Sequence, residues 1–265
     1  GQLSGLPTGI PKLDDLLNGI QKTDSVILAG RPSMGKTQTA MSFARRAATV
    51  EPVLIVSREM AAKQLAMREI AREARVNSHG MRRGYLGDHE WRRVEKAKCD
   101  LHLCEIYIDD SARTIDDVES TVREAKRKFD VGMVVVDYLQ LVDNAPGTNP
   151  NNANEAVAIK SNRLKALAKS QNIAVLILCQ LSRACELRKD KRPILSDLRD
   201  SGSIEQDADV VMFLYRADVY GEAEEGCESK MEIIVSKQRQ GPIGTVYCFF
   251  EDTTGTVGEW TPRTE

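Results

Sequence analysis

One run of eight residues constrains this chain more than any other: Gly30-Arg31-Pro32-Ser33-Met34-Gly35-Lys36-Thr37. It fits G-x-x-x-x-G-K-[ST], the P-loop pattern. Ahead of it runs Ser25-Val26-Ile27-Leu28-Ala29, an apolar predicted strand; behind it a helix is predicted over 38–48, rich in Ala, Met and Arg. Strand, loop, helix is the context in which such a loop binds phosphate. Its glycines let backbone N–H groups turn inward, and the following helix presents its positive end to an anion. A turn that merely carries Lys-Thr would need none of these flanks. On this reading Lys36 reaches the β- and γ-phosphates of a nucleotide and Thr37 holds Mg²⁺.

The rest of the chain repeats the alternation. Apolar strands are predicted at 52–56, 106–109, 133–137 and 174–178, with helices at 61–75, around 91–98, at 114–129 and at 155–170. Thr114 is the expected cap of the third of these helices, with Asp116 and Asp117 in its first turn. A short helix is expected within 6–19, capped by Thr8 and ended by Gly19. Alternating strands and helices predict a mainly parallel twisted sheet covered by helices on both faces. Strands at 210–215, 231–236 and 244–250 follow without long helices between them, which predicts an antiparallel extension at one edge. The segment 77–91 is polar and basic and carries no element in this reading.

With 265 residues, 42% hydrophobic and 29% charged, the chain fits one large globular domain with a substantial core. No apolar run approaches a bilayer span, so no membrane partner and a cytoplasmic location are expected. The six cysteines form no C-x-x-C pair, and His79, His89 and His102 have no metal-ligand spacing. A net charge of -2 gives no global bias toward nucleic acid; any such binding must rest on locally focused basic groups.

Five further positions carry chemistry. Asp137 ends the fourth strand, where an acid in a P-loop protein sits beside Mg²⁺. Glu59 follows the second strand and reads two ways: a carboxylate that polarises water, or an acid favoured in a helix's first turn. Gln180 follows the fifth strand, either as a γ-phosphate sensor or as a polar strand end. Lys237 and Arg239 alternate along a strand and share a side. They reach a phosphate in their own or a neighbour's site, or form an exposed basic turn. The loop 143–154, rich in Asn, Pro and Gly, is either a disordered surface loop or a mobile loop facing ligand. The basic residues 188–192 lack the aromatics of a stacking platform. The acidic tip 221–228 reads as a solvated turn.

Taken together these residues resemble the C-terminal RecA-like motor domain of the replicative DnaB-type hexameric DNA helicases. The carriers include Leu6-Pro7-Thr8-Gly9, the P-loop, Ser57-Arg58-Glu59-Met60, Asp137-Tyr138-Leu139-Gln140-Leu141 and Gln180-Leu181-Ser182-Arg183. The most specific are the run from Asp190-Lys191-Arg192-Pro193 through Leu198-Arg199-Asp200-Ser201-Gly202-Ser203 to Asp209, and Lys237-Gln238-Arg239. The family commonly has Glu at the place of Asp200 and Leu at that of Arg58.

The resemblance implies a RecA-like P-loop fold over 1–265. It implies ATP and Mg²⁺ at 30–37, with Asp137 as the Walker B acid, Glu59 as the catalytic carboxylate and Gln180 as the link from γ-phosphate to DNA. Lys237 and Arg239 would act in trans within a homo-hexameric ring. Arg199, Asp200 and Gly202 would face single-stranded DNA. The implied activity is ATP-dependent unwinding with 5′-to-3′ translocation, with a primase and a helicase loader as partners. The family's N-terminal helical domain and linker precede the point where this sequence starts, so it is expected to be a fragment. Two other readings are a RecA-like recombination or repair ATPase that forms filaments, and a nucleotide-regulated scaffold with little turnover.

Overall fold

The computed structural model describes residues 3–147 and 153–261, and for 153–154 and 199–204 the backbone only. Its strands are β1 (Ser25–Gly30), β2 (Val53–Ser57), β3 (Ile106–Asp109), β4 (Met133–Asp137), β5 (Ala174–Gln180), β6 (Val210–Tyr215), β7 (Lys230–Gln238), β8 (Gly244–Glu251) and β9 (Thr256–Glu259). They form a single sheet in the order β3-β2-β4-β5-β1-β6-β7-β8-β9. Every pairing from β3 to β6 is parallel, and every pairing from β6 to β9 is antiparallel. The predicted division into a parallel body and an antiparallel edge is therefore present, with β9 added.

The helices are α1 (Pro11–Leu17), α2 (Lys36–Ala47), α3 (Ala62–Ala74), α4 (Ser78–Arg83), α5 (Asp88–His102), α6 (Ile115–Phe129), α7 (Ala153–Gln171) and α8 (Gly202–Asp207). Strand side chains alternate between two cores, as the pleat requires. Val26 and Leu28 pack with Met41, Phe43 and Ala44 of α2 and Leu13 of α1 on one face. Ile27 and Ala29 pack with Val118 and Val122 of α6 and Leu164 and Leu167 of α7 on the other. A third, small cluster joins α3, α4 and α5 through Ala71, Met81, Val94 and Ala97. Burial on both faces is why these strands read as unbroken apolar runs.

Local signals explain the helix ends. Thr114 caps α6: its hydroxyl accepts from the Asp117 N–H at 3.2 Å, and the Asp117 carboxylate accepts from the Thr114 N–H at 2.8 Å. The expectation for α1 is corrected. Thr8 is not its cap; Ile10 is, and Pro11 supplies the first helical residue. The Thr8 hydroxyl instead donates to Asp14 at 2.8 Å and accepts from the Ile10 N–H, drawing the incoming chain against the helix. The helix ends at Asn18, which takes the left-handed conformation before Gly19 does. The polar segment after α3 holds α4, whose start is capped by Asn77.

Candidate nucleotide site

Parallel order places the carboxyl ends of β1, β2, β4 and β5 along one edge of the sheet. The register sets Gly30 beside Gln180 and Ser57 beside Asp137. The predicted phosphate loop leaves β1 here. Ser33 and Gly35 both take positive φ, 67° and 86°, and α2 begins at Lys36. This turn aims the N-terminus of a twelve-residue helix at a cavity of about 450 Å³ lined by Ser33, Gly35, Lys36, Thr37, Glu59, Tyr138 and Gln180. Four separated stretches of sequence thus converge on one space, as expected for the crevice outside the strand ends of an α/β sheet.

The charges there are arranged for a polyanion and a cation. The Lys36 ammonium donates to the carbonyls of Gly30 and Arg31, both at 3.0 Å. Burial lowers its pKa, while the charges of Glu59 and then Asp137 pull it back up. Thr37 Oγ1 donates to Asp137 Oδ2 at 2.9 Å. Asp137 is buried, and its other oxygen, Oδ1, has no hydrogen-bond partner. Burial pushes this carboxyl up to about 6; the Thr37 hydrogen bond opposes the rise and the charge of Glu59 adds to it. A buried orphan carboxylate oxygen beside a threonine hydroxyl fits the ligand set of a divalent cation. Glu59 is exposed at the rim.

Within the loop, not every residue offers its side chain. Met34 is buried in the core. Arg31 turns away from the loop, donating from Nε to Glu186 Oε1 at 2.9 Å and from Nη1 to the Leu181 carbonyl at 2.7 Å. Both contribute backbone to the loop. The backbone of Gln180 pairs with the amide of Gln140, which ties the β5 end to the turn after β4, and its side chain lines the cavity.

Lys237 and Arg239 lie elsewhere. The end of β7 pairs with the start of β6, which pairs with the start of β1 (Gln238 with Val210, Val210 with Val26). From Val26 to Gly30 is about 13 Å of strand, so the pair sits at the end of the sheet opposite the phosphate loop of its own chain. Of the two destinations open from the residue pattern, the own-chain site is out of reach. Lys237 Nζ donates to the Glu205 carbonyl at 2.5 Å, and Arg239 Nη2 to the Gln206 carbonyl at 2.8 Å, so both hold the last turn of α8. Burial and the neighbouring Arg239 lower the Lys237 pKa.

Arg199 and Asp200 belong to a 3-10 turn, Leu195–Ser201, and Gly202 opens α8; their side chains lie outside the described residues. Residues 148–152 of the 143–154 loop also lie outside them. Three basic residues of the segment 188–192 pair with acids elsewhere in the chain: Arg188 with Asp197, Lys191 with Glu222 and Arg192 with Glu232. Among the described residues no cluster of His, Cys, Asp or Glu has metal-site geometry, and no helix is long and apolar enough to cross a membrane. Sequence reasoning passed over Arg68, Arg216, Phe250 and Asp252, which also line the cavity. None belongs to a motif, and the contacts that tie Arg216 to the loop, at Asp252 and Ser33, are distant in sequence.

The family model of the DnaB-like helicase C terminal domain matches residues 5–258. The chain belongs to this DnaB-like family. It is 44% identical over 253 residues to the replicative DNA helicase DnaB of Geobacillus stearothermophilus, and 42% identical to the replicative DNA helicase DnaC of Bacillus subtilis (strain 168). Each alignment covers 94% of this chain and 55% of the relative, so the chain spans about half the length of these curated DnaB-like proteins. Among solved structures it is similar to a separately solved ATPase domain, with a TM-score of 0.91 and 34% identity over 98% of this chain and 93% of that one. It is also similar to a DnaB-like replicative helicase studied with primase, with a TM-score of 0.92 and 34% identity over 98% of this chain and 63% of that one. The DnaB-like chain is thus a RecA-like α/β fold with an antiparallel edge.

Proposed function

We propose that this DnaB-like chain, as one domain over 1–265, is the ATP-driven motor of a replicative DNA helicase. The observation that carries the proposal is the pairing beneath the phosphate loop of Thr37 with Asp137, whose second oxygen is buried and unpartnered. Nucleotide phosphates lie on the N–H groups of 30–37, and Lys36 exchanges the Gly30 and Arg31 carbonyls for phosphate oxygens. Thr37 Oγ1 and Asp137 would hold Mg²⁺, which would supply positive charge against the phosphates. Glu59 aligns a water for in-line attack on the γ-phosphorus and accepts its proton as the bond to the ADP oxygen breaks. Gln180 contacts the γ-phosphate from the end of β5 and passes its loss to the neighbouring loops.

Lys237 and Arg239 act on the site of a neighbouring copy in a homo-hexameric ring. Their position at the far end of the sheet supports a head-to-tail contact. Arg199, Asp200 and Gly202 face single-stranded DNA, which the ring pulls through in the 5′-to-3′ direction to unwind duplex at a fork. A primase and a helicase loader are the partners, in the cytoplasm. ATP hydrolysis with and without single-stranded DNA tests this reading. Turnover stimulated by the strand is expected, lost in Lys36→Ala and in Glu59→Gln. Either variant hydrolysing ATP at the parent rate would contradict the active-site assignment.

A further inference from the structure

The antiparallel edge bears Lys237 and Arg239 at the end far from the phosphate loop, yet it also reaches the loop of its own chain, through Arg216 and Phe250. Arg216 follows β6 and is 3% exposed. Its five N–H donors meet five acceptor contacts. Nε and Nη2 donate to Asp218 at 3.2 and 2.5 Å, and Nη1 and Nη2 donate to Asp252 at 2.9 and 2.8 Å. Nη1 also donates to the Ser33 carbonyl at 3.4 Å. The guanidinium carbon lies 4.3 Å from the centroid of the Phe250 ring. That ring is 4% exposed, too covered to stack on a base, and it meets the loop: a Cβ at Gly35 would fall 2.6 Å from Phe250 Cε2.

The two loop residues touched in this way, Ser33 and Gly35, are the two with positive φ. A left-handed serine is an uncommon backbone state that persists where its surroundings hold it. The geometry points to Arg216 as a positioning residue for the phosphate loop. With Asp252 and Phe250 it holds the left-handed turn at 33–35 from the antiparallel edge, so that the loop N–H groups are arranged before phosphate arrives. Two aspartates neutralise the guanidinium, which makes it a brace more than a charge for the nucleotide. A lysine at 216 keeps the charge but has three donors and no planar fork, so it cannot reproduce the five contacts.

This inference rests on the nucleotide-site reading, and a double-mutant cycle on the 265-residue chain tests it. A fluorescent ADP is titrated at equilibrium into the parent, Arg216→Lys, Asp252→Asn and the double variant, with Tm recorded for each. Arg216→Lys is expected to raise Kd about tenfold and Asp252→Asn about threefold, with the double variant no weaker than Arg216→Lys alone. Folded variants that bind as the parent does overturn the inference. Additive losses also overturn it, because Asp252 would then be contacting the nucleotide independently. Should Arg216→Lys fail to fold, Phe250→Leu takes its place in the cycle with the same two criteria. A parent that does not bind the probe overturns the nucleotide-site reading itself.

Discussion

The two ends of the sheet hold their charged side chains on different terms. At the carboxyl end of β1, β2, β4 and β5, one chain brings together the phosphate loop, Lys36, Thr37, Asp137 and Glu59. Asp137 keeps an unpartnered oxygen there, so polar capacity is left over for a ligand. At the opposite end, Lys237 and Arg239 donate to carbonyls of α8, Arg239 Nε also lies 3.6 Å from Asp209 Oδ1, and the Arg239 side chain is 51% exposed. A carbonyl is a weaker partner for a guanidinium than a phosphate is. The first end reads as a site assembled within the chain, and the second as a donor waiting for an acceptor elsewhere. In the proposed ring, a closed head-to-tail contact would bring one to the other.

The largest expected effect separates the ends by their dependence on assembly. Arg239→Ala should lower kcat of the assembled protein by about a thousandfold, the low end for loss of an arginine finger. ADP affinity of the isolated chain should stay unchanged, as read by titration at low protein concentration. A comparable loss of affinity in the isolated chain would erase the distinction between the ends. Glu59→Gln should lower kcat by about a hundredfold or more at any protein concentration, with ADP binding intact.

A smaller effect concerns stability. Burial raises the folded-state carboxyl of Asp137 from 3.8 to about 6. Between those values the folded chain binds more protons than the unfolded one, so its stability falls as pH rises and the penalty is complete above about 6. Without divalent cation at pH 7.5, Asp137→Asn should therefore melt higher than the parent, by at most about 3 kcal/mol. The gain should vanish near pH 4 and reverse when Mg²⁺ and nucleotide are added. Thermal melts across pH check this. The smallest effect is a control remote from both ends: Thr114→Ala should cost about 1 kcal/mol of stability through loss of the α6 cap and leave ADP affinity alone.

How legible the molecule is from sequence varies with how local the cause is. The phosphate loop, the strands around it and the Thr114 cap are written in contiguous residues, and each appears where the residue pattern puts it. β9 escapes because Thr256-Val257-Gly258-Glu259 is too short and too polar to show alternation. α4 escapes because its one buried residue, Met81, sits among basic ones. Arg31 belongs to the loop pattern, but its guanidinium is claimed by Glu186, 155 residues away. Arg216 is invisible for the same reason: its contacts at Asp252 and Ser33 lie 36 and 183 residues off. The destination of Lys237 and Arg239 could be narrowed only once the strand register was known.

On the proposed reading, the phosphate end of one chain is completed by the basic end of another. Complementation tests it most directly. Lys36→Ala and Arg239→Ala chains are assembled separately and, in a third sample, mixed in equal amounts before assembly, and ATP hydrolysis is measured with single-stranded DNA present. Mixing places an intact phosphate loop beside an intact Arg239 at about a quarter of the interfaces. Hydrolysis clearly above that of either variant alone is expected. A mixture no more active than its two components would contradict it.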